Sequence, residues 1–275
     1  MPVLLGALAS ALIGVSDYFG RYCSRRAHAM TTVGTAFVGG LGITMVLLLI
    51  VPSAITAVDL LLGAASGVLI AIALSAMWHS LAVSSSAIAS PIVAAFTALG
   101  PLIYGFATGE RPTQLANVGI AVAVFGLLLA VIVPQSVTNV GTGIAYAVLG
   151  GLAFTALIVL LDRTSVDSGM WPAVTQRAAA LVVMLLVTRA SRIPQILPRS
   201  LRLAALAGGI AGGSGMASFI AGVQRGPIGE VSVAGSLYPV VTIALAVILD
   251  DDTLRWWQAV GIAAVLAGTT MITIG

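Results

Sequence analysis

Long apolar stretches separated by short polar links dominate the pattern along the chain. We expect ten spans near residues 2–20, 31–51, 58–80, 87–106, 114–133, 141–161, 171–189, 203–223, 230–249 and 257–274. A helix needs about 20 mostly apolar residues to cross about 30 Å of hydrocarbon. Strands of a membrane barrel would alternate polar and apolar residues, whereas runs such as 43–51 and 119–133 do not alternate. The pattern therefore predicts an all-α membrane protein with ten transmembrane helices.

The composition agrees with a lipid environment. Of the 275 residues, 59% are hydrophobic and only 8% are charged, whereas a soluble domain carries about 25% charged residues. The net charge is +3, and there is no basic block of the kind that binds nucleic acid. Cys23 is the only cysteine, which excludes an internal disulfide and a multi-cysteine metal site. We expect a multi-pass protein of the cell (plasma) membrane with no metal, cofactor or nucleic-acid partner.

An internal repeat emerges when the chain is compared with itself at an offset of 142 residues. Residues 118–121 then align with 260–263 without a gap, and Gly126 aligns with Gly268. We expect two five-helix repeats, residues 1–135 and 139–275. Because five crossings are an odd number, the second repeat would enter the membrane from the opposite side and be inverted. Inverted halves are typical of transporters that bind their substrate between the halves near the bilayer midplane.

Several motifs point to a known family. Residues 226–242 read Gly-Pro-Ile-Gly-Glu-Val-Ser-Val-Ala-Gly-Ser-Leu-Tyr-Pro-Val-Val-Thr, and residues 258–261 read Gln-Ala-Val-Gly. The first half carries Gly109-Glu110, and residues 16–20 read Ser-Asp-Tyr-Phe-Gly. Over nearly the whole chain these motifs resemble the EamA family of the drug/metabolite transporter superfamily. The sequence departs from the family at residues 250–252, where Asp-Asp-Asp replaces the usual Gly-Glu.

The resemblance implies two fused five-helix repeats and a secondary carrier of a small metabolite or drug-like molecule, often an exporter, rather than an enzyme. We expect a cavity lined mainly by spans one, three, four, six, eight and nine. A non-transporting membrane component, such as a lipid-carrier flippase accessory or a scaffold, is the alternative. A third hypothesis is an intramembrane serine protease, because residues 212–215 read Gly-Gly-Ser-Gly; it needs a base beside Ser214.

Ionisable residues inside the spans are candidates for function because charge is costly in lipid. Asp17 and Arg21, with Tyr18 between them, are four residues apart and share a helix face. They could belong to a binding site or form an ion pair at the membrane interface. His79 follows Trp78 and could carry a coupling proton, or the two could be an interfacial pair.

Two further charges and a set of hydroxyl groups complete the candidate site. Arg177 lies about six residues into span seven and could face an anion or carboxylate, or extend to the interface. Glu230 could help Asp17 carry a coupling proton, or be favoured only by the start of its helix. The remaining candidates lie near prolines that should bend or break spans four and nine, and they could contact substrate or bond back to their own helix: Ser90, Thr97, Ser232, Ser236, Tyr238 and Pro239.

The side of the membrane that holds the termini is predicted inconsistently. An even number of spans puts both termini on one side, here called the terminal face. Most arginines lie in the links of the other side, here called the arginine-rich face. Arginines in short loops tend to stay cytoplasmic, which would put the termini outside, whereas the family resemblance implies cytoplasmic termini.

Overall fold

The computed structural model describes residues 1–83, 86–130, 140–249 and 255–274. Within these ranges the chain forms α-helices and one short 3-10 helix, Val166–Ser168, and no strand. The α-helices are α1 (Pro2–Ser24), α2 (Ala29–Ile50), α3 (Ala57–Val83), α4 (Ser86–Ala107), α5 (Gln114–Ala130), α6 (Val140–Asp162), α7 (Trp171–Ala190), α8 (Arg199–Val223), α9 (Ile228–Gly235), α10 (Tyr238–Leu249) and α11 (Trp256–Ile274). Each of the ten predicted spans coincides with a helix, with α9 and α10 together taking the place of the ninth.

Length and hydropathy distinguish two groups among these helices. By length and composition, six are long and apolar enough to cross a membrane: α1, α2, residues 57–77 of α3, residues 141–162 of α6, α7 and α8. Shorter apolar helical segments lie within α4, α5 and α11, at residues 95–107, 114–129 and 256–272. The described chain is therefore an all-helical bundle of membrane type.

The break in the ninth span lies where a proline was expected to cause one. Pro239 has no N–H to donate to the carbonyl four residues earlier. The chain turns between α9, which ends at Gly235, and α10, which begins at Tyr238. Just after the turn, Val240 N donates to Leu237 O at 3.0 Å, a bond to the residue three positions earlier. The fourth span, in contrast, is the single helix α4, which continues through Pro101. The expectation of a broken helix is thus confirmed in the second half only.

Polar residues in the links cap the helices that follow them. Thr56 Oγ1 accepts from Asp59 N at 3.2 Å, and Thr113 Oγ1 accepts from Ala116 N at 3.1 Å. Each bond satisfies a backbone N–H that has no partner in the first turn of a helix. The start of α3 and of α5 is therefore marked by the threonine just before the helix, Thr56 and Thr113 respectively.

Glycines allow α5 and α11 to pack at backbone distance. A Cβ on Gly119 would lie 2.7 Å from Gly268 O, and a Cβ on Gly126 would lie 2.7 Å from Gly261 O. The contacted residue number falls along α11 as it rises along α5, so the two helices run antiparallel. Small residues are what allow helix association in lipid, where the hydrophobic effect gives no advantage to helix–helix contact.

The most extensive of the other helix contacts also join the two predicted halves. In the first half α1 and α2 pack on α8, while in the second half α6 and α7 pack on α3. Two links that were predicted on the same side of the membrane contact each other. Ala54 N donates to Asp167 O at 2.7 Å, and Met170 N donates to Ser53 Oγ at 3.1 Å. Both contacts join the 51–56 and 163–170 links on the terminal face.

Candidate functional site

A cavity of about 130 Å³ lies between helices of both halves. A water needs about 10–15 Å³ of such space, so the cavity can hold several waters or a small solute. The six spans expected to line a cavity, which are spans one, three, four, six, eight and nine, all contribute to its walls. The helices α2 and α7 contribute as well. Most of the lining is apolar, and its polar side chains are Ser16, Asp17, Thr32, Thr97, Arg177, Ser236 and Tyr238.

Arg177 is the buried cation of this cavity. Its side chain is only 6% exposed, so it does not extend to a membrane interface. Nη2 donates to Gly212 O at 2.7 Å, and the guanidinium carbon lies 5.6 Å from the centre of the Phe37 ring, within cation–π range. Arg177 Nε is buried and makes no hydrogen bond. The guanidinium therefore retains unsatisfied donor capacity beside the cavity.

Asp17 brings a carboxylate to the same cavity from α1. Its neighbour Ser16 lies against Gly212, since a Cβ on that glycine would lie 2.6 Å from Ser16 Oγ. Gly212 is also the residue whose carbonyl accepts from Arg177. Ser16, the residue before Asp17, and Arg177 thus both contact Gly212 of α8.

Three hydroxyl candidates also line the cavity, and two of them bond to their own helix. Thr97 Oγ1 donates to Val93 O at 3.1 Å, and Ser236 Oγ donates to Ser232 O at 2.7 Å. Tyr238 stands at the start of α10, directly after the break. Thr97 and Ser236 thus bond back to the backbone of their own helix and also line the cavity, so neither of the two roles considered for them, substrate contact or back-bonding, excludes the other.

The other predicted residues lie away from the cavity lining. Tyr18 is buried with its ring edge-on to Phe19, and Arg21 is half-buried one turn further along α1. His79 is exposed and its ring lies 4.3 Å, centre to centre, from that of Tyr146. These residues remain candidates for the site, but they do not belong to this cavity.

The remaining candidates fall at α9 or outside the described side chains. Glu230 is half-buried in the first turn of α9, Ser232 is fully buried with no hydrogen-bond partner for its hydroxyl, and Pro239 is half-buried in α10. The side chains of Trp78 and Ser90 lie outside the described ones.

Sequence analysis missed the wall supplied by α2 and the aromatic lining, whereas the one lining residue from α7, Arg177, was among its candidates. Phe37, Phe154 and Phe219 all line the cavity. In a chain this apolar, a phenylalanine that faces a cavity has the same sequence signal as one that faces lipid. The glycines of α8 were the available hint, because they mark where neighbouring backbones approach closely.

Glu110 connects the two halves on the terminal face. Its Oε1 accepts from Ile228 N at 2.5 Å and its Oε2 accepts from Gly229 N at 3.1 Å. Both N–H groups belong to the first turn of α9, where backbone donors lack helical partners and a negative charge is favoured. Gly105 leaves room for this carboxylate, because a Cβ there would overlap it. The Gly-Glu motif thus acts as a cap between the two halves.

A second contact on the same face involves Asp59. Its Oδ1 accepts from Ser165 N at 3.0 Å, and its Oδ2 accepts from Thr56 Oγ1 at 2.6 Å. Gln224 Nε2 donates to Thr164 Oγ1 at 2.8 Å and to Ser165 O at 3.0 Å. On the terminal face Asp59 thus bonds to backbone of the opposite half, whereas Gln224 connects two links of the second half.

The serine of the protease hypothesis lies in a packing segment. The neighbouring glycines contact other helices: Gly213 lies against Gly40 of α2, and Gly215 lies against Ala9 of α1. His28 caps α2 by accepting from Met30 N, and the other histidine of the chain, His79, packs at a tilt against the Tyr146 ring. Glycine packing is thus the role that the structure gives this segment.

Comparison with known proteins gives the class of protein. Residues 141–274 match the EamA-like transporter family. This half of the chain belongs to that family. A solved crystal structure has the same overall fold, with a TM-score of 0.81 and 16% identity, covering 99% of this chain and 96% of the other. No curated protein compared with the chain matches it.

The family match confirms the resemblance over residues 141–274. Residues 141–274 match a family that transports small solutes, and this match, together with six helices long and apolar enough to cross a membrane, supports an integral, multi-pass membrane protein with lipid surroundings and a small-molecule substrate. A transporter family also agrees with the expectation that the chain is not an enzyme.

Proposed function

We propose that the protein is a secondary transporter of the cell membrane that moves a small metabolite or drug-like molecule by alternating access, with export as its direction. The two halves, residues 1–135 and 139–275, are inverted repeats that open in turn to either side. The observation that carries the proposal is the cavity between them, which holds opposite charges on mostly apolar walls.

Helix positions support the repeat. Adding the offset of 142 residues to the first residues of α2, α3 and α5, which are 29, 57 and 114, gives 171, 199 and 256, where α7, α8 and α11 begin. The same shift takes α4 onto the α9–α10 pair, from 228 to 249. Agreement in length and spacing is expected if both halves fold alike.

Reciprocal contacts support a twofold relation between the halves. Gly119 lies against Gly268, and their counterparts at the same offset, Gly261 and Gly126, lie against each other. In a twofold interface, residue i contacts residue j of the other copy and j contacts i. Counterpart helices that pack antiparallel, as α5 and α11 do, are what inverted halves require.

The contacts between halves suggest how access would change. Glu110 and Asp59 hold the terminal face closed through backbone N–H groups of the second half. Opening the cavity to that side would break these hydrogen bonds, and closing it would restore them. Such discrete contacts are suitable elements of a two-state equilibrium.

Asp17 is the residue proposed to carry a coupling proton, with His79 or Glu230 as a second carrier. A carboxylate that is alternately buried and wetted changes its proton affinity between the two states. Asp17 faces the cavity, whereas His79 and Glu230 lie away from it, so Asp17 is the first residue to test.

The alternative, a flippase accessory or scaffold, calls for a lipid-facing groove or a broad contact surface. The charged cavity between the halves favours the carrier, because buried Arg177 and half-buried Asp17 have no evident use in a scaffold.

Reconstitution tests the proposal. Purified protein in liposomes should move at least one solute from a panel of metabolites and toxins. Asp17→Asn should abolish acceleration by a pH gradient, while the exposed control Asp167→Asn should retain it. If no solute moves in protein-dependent fashion, the transport proposal is wrong; if the gradient still accelerates flux in Asp17→Asn, the coupling role is wrong.

A further inference from the structure

We infer that a groove between α2 and α7 at the arginine-rich face binds one anionic phospholipid, with an acyl chain in the groove and the phosphate on Arg202 and Arg199. This groove, here called the α2–α7 groove, is lined by residues between 30 and 38 of α2, residues between 181 and 188 of α7, residues 195–197 of the link, and Arg202 and Leu206 of α8. It shares no lining residue with the central cavity. The inference therefore does not depend on which solute that cavity binds.

The α2–α7 groove is about as deep as one leaflet of the bilayer. Its volume is about 250 Å³. At about 1.5 Å per residue it extends about 12 Å along α2, from Met30 to Val38. Half of the hydrocarbon core measures about 15 Å. Val38 and Leu185 line the groove and are exposed, and a residue exposed at this depth of a membrane protein faces lipid. An acyl chain of the adjacent leaflet can thus enter from the side.

The inside of the α2–α7 groove offers hydrocarbon rather than hydrogen-bonding groups. Its three threonine hydroxyls donate to backbone: Thr35 Oγ1 to Thr31 O at 2.9 Å, Thr188 Oγ1 to Met184 O at 2.7 Å, and Thr31 Oγ1 to Pro194 O. A water molecule in a cavity needs about two to four polar partners. Because the threonines already have partners, an acyl chain fits this space better than water does.

Gly34 leaves the space that an acyl chain would fill. A Cβ at Gly34 would meet no atom within 4 Å, although the residue lines the groove. On the same helix, in contrast, a Cβ at Gly39 would lie 2.5 Å from Leu206 O, so that glycine serves close packing on α8. Helix packing does not account for Gly34. A larger side chain there would compete with the lipid without disturbing a neighbouring helix.

The link between α7 and α8 holds the mouth of the groove in place. Thr31 Oγ1 of α2 donates to Pro194 O, and Gln195 Nε2 donates to Leu185 O of α7 at 3.2 Å. The link is therefore attached to both helices that form the sides of the groove. The mouth is part of the folded structure before any lipid binds.

Arg202 provides a cation at this mouth. Its Nε donates to Leu197 O at 2.8 Å, which holds the side chain against the link, while neither Nη atom bonds to a described residue. A guanidinium with two available Nη groups is suited to the oxygen atoms of a phosphate. Arg199 lies three residues earlier, on the same face of α8, and its side chain makes no hydrogen bond or ion pair with the described residues.

The charges near the mouth favour a lipid with a net negative charge. Residues 189–202 include four arginines and no acidic residue. Arg199 and Arg202 stand at the start of α8, where the helix dipole disfavours cations, and like charges three residues apart repel each other. A phosphate bound to both side chains offsets these costs. A zwitterionic lipid would bring a further cation to the same place, so the site should discriminate against it.

Lipid titration of the purified full-length chain in detergent tests the inference. Native mass spectrometry measures the affinity of the first bound molecule of dioleoyl phosphatidylglycerol or dioleoyl phosphatidylcholine. Each arginine near an anionic lipid contributes about fivefold in affinity, so we expect phosphatidylglycerol to bind about 25-fold more tightly. Equal affinities overturn the inference. Glycerophosphoglycerol, the same headgroup without acyl chains, should bind at least about tenfold more weakly than the lipid, and equal binding would overturn the role of the groove.

Substitutions separate the contact with the headgroup from the contact with the acyl chain. Arg199→Gln and Arg202→Gln should each weaken phosphatidylglycerol binding about fivefold and change phosphatidylcholine binding less. Gly34→Leu should weaken both lipids, because its side chain occupies the groove. Arg225→Gln, an exposed change on the terminal face, and Gly42→Leu, a change into open space on α2, are matched controls that should bind both lipids as the native chain does.

Two results would overturn the assignment to this groove. If Gly34→Leu binds both lipids with native affinity, the lipid does not occupy the groove. If Arg199→Gln keeps the native preference for phosphatidylglycerol, the phosphate does not lie between the two arginines. Arg199 makes no bond to the described residues, so this test remains valid even if Arg202→Gln, which loses its contact with the link, does not fold.

Discussion

Replacing Glu110 by alanine tests whether the cap on α9 keeps the terminal face closed. The carboxylate accepts two backbone N–H groups of the opposite half, Ile228 N at 2.5 Å and Gly229 N at 3.1 Å. Its loss would leave the start of α9 without these acceptors. The halves should then separate more readily on the terminal face.

The size of the effect follows from the two hydrogen bonds. A hydrogen bond to a charged group contributes about 1.5–3 kcal/mol. Glu110 is half-exposed, so water replaces part of each bond, and a total of about 2 kcal/mol is a reasonable expectation. That free energy corresponds to a shift of about 30-fold in the equilibrium between closed and open states. Glu110→Gln keeps one carbonyl acceptor and should shift the equilibrium less.

Distances between spin labels measure the shift. Labels at Thr108→Cys and Arg225→Cys would occupy exposed positions in two different links of the terminal face, with Cys23 replaced by alanine. Pulsed electron–electron double resonance should show a population at longer distance, and this population should grow from the native chain to Glu110→Gln to Glu110→Ala. Asp167→Asn, an exposed change on the same face, is the control and should match the native distribution.

One outcome would refute the reasoning. If the distance distribution and the transport rate of Glu110→Ala both equal those of the native chain, the cap does not stabilise the closed state. The hydrogen bonds would then be a feature of helix packing alone.

Three further predictions concern coupling, packing and orientation. Asp17→Asn should keep downhill solute flux and lose its dependence on a pH gradient; flux assays in liposomes check this, and persistent dependence contradicts it. Gly119→Leu should lower thermal stability, by about 1–3 kcal/mol or more, because its Cβ would lie 2.7 Å from Gly268 O; Gly42→Leu, with open space around it, should change stability little, so equal melting temperatures would count against the interface. Tags on the two termini should be accessible from one and the same side of intact cells, and access from opposite sides would rule out ten crossings.

The helices could be predicted from the sequence because hydropathy is a local property. Ten apolar stretches of spanning length coincide with helices, and Pro239 marks the break between α9 and α10. Pro101 did not break α4, since the loss of one hydrogen bond need not end a helix whose other bonds persist. Local patterns thus give the elements, and their exact shape depends on packing.

The cavity was only partly predictable, because its walls depend on contacts between distant residues. Asp17 and Arg177 stood out because charge is rare within the spans, and both line the cavity. Phe37 could not be recognised among so many apolar residues, and α2 was therefore missed as a wall. Glu110 was noticed as part of a motif, but its contact with α9, more than a hundred residues away, is a tertiary feature.

The central claim is that one cavity opens alternately to both sides of the membrane. Ser236→Cys in a Cys23→Ala background places a small thiol on the cavity wall, where Ser236 is 3% exposed. In oriented liposomes, a membrane-impermeant thiol reagent should label this cysteine when applied to either compartment, whereas Thr108→Cys should be labelled from one compartment only. Labelling of Ser236→Cys from a single side under all conditions would contradict alternating access.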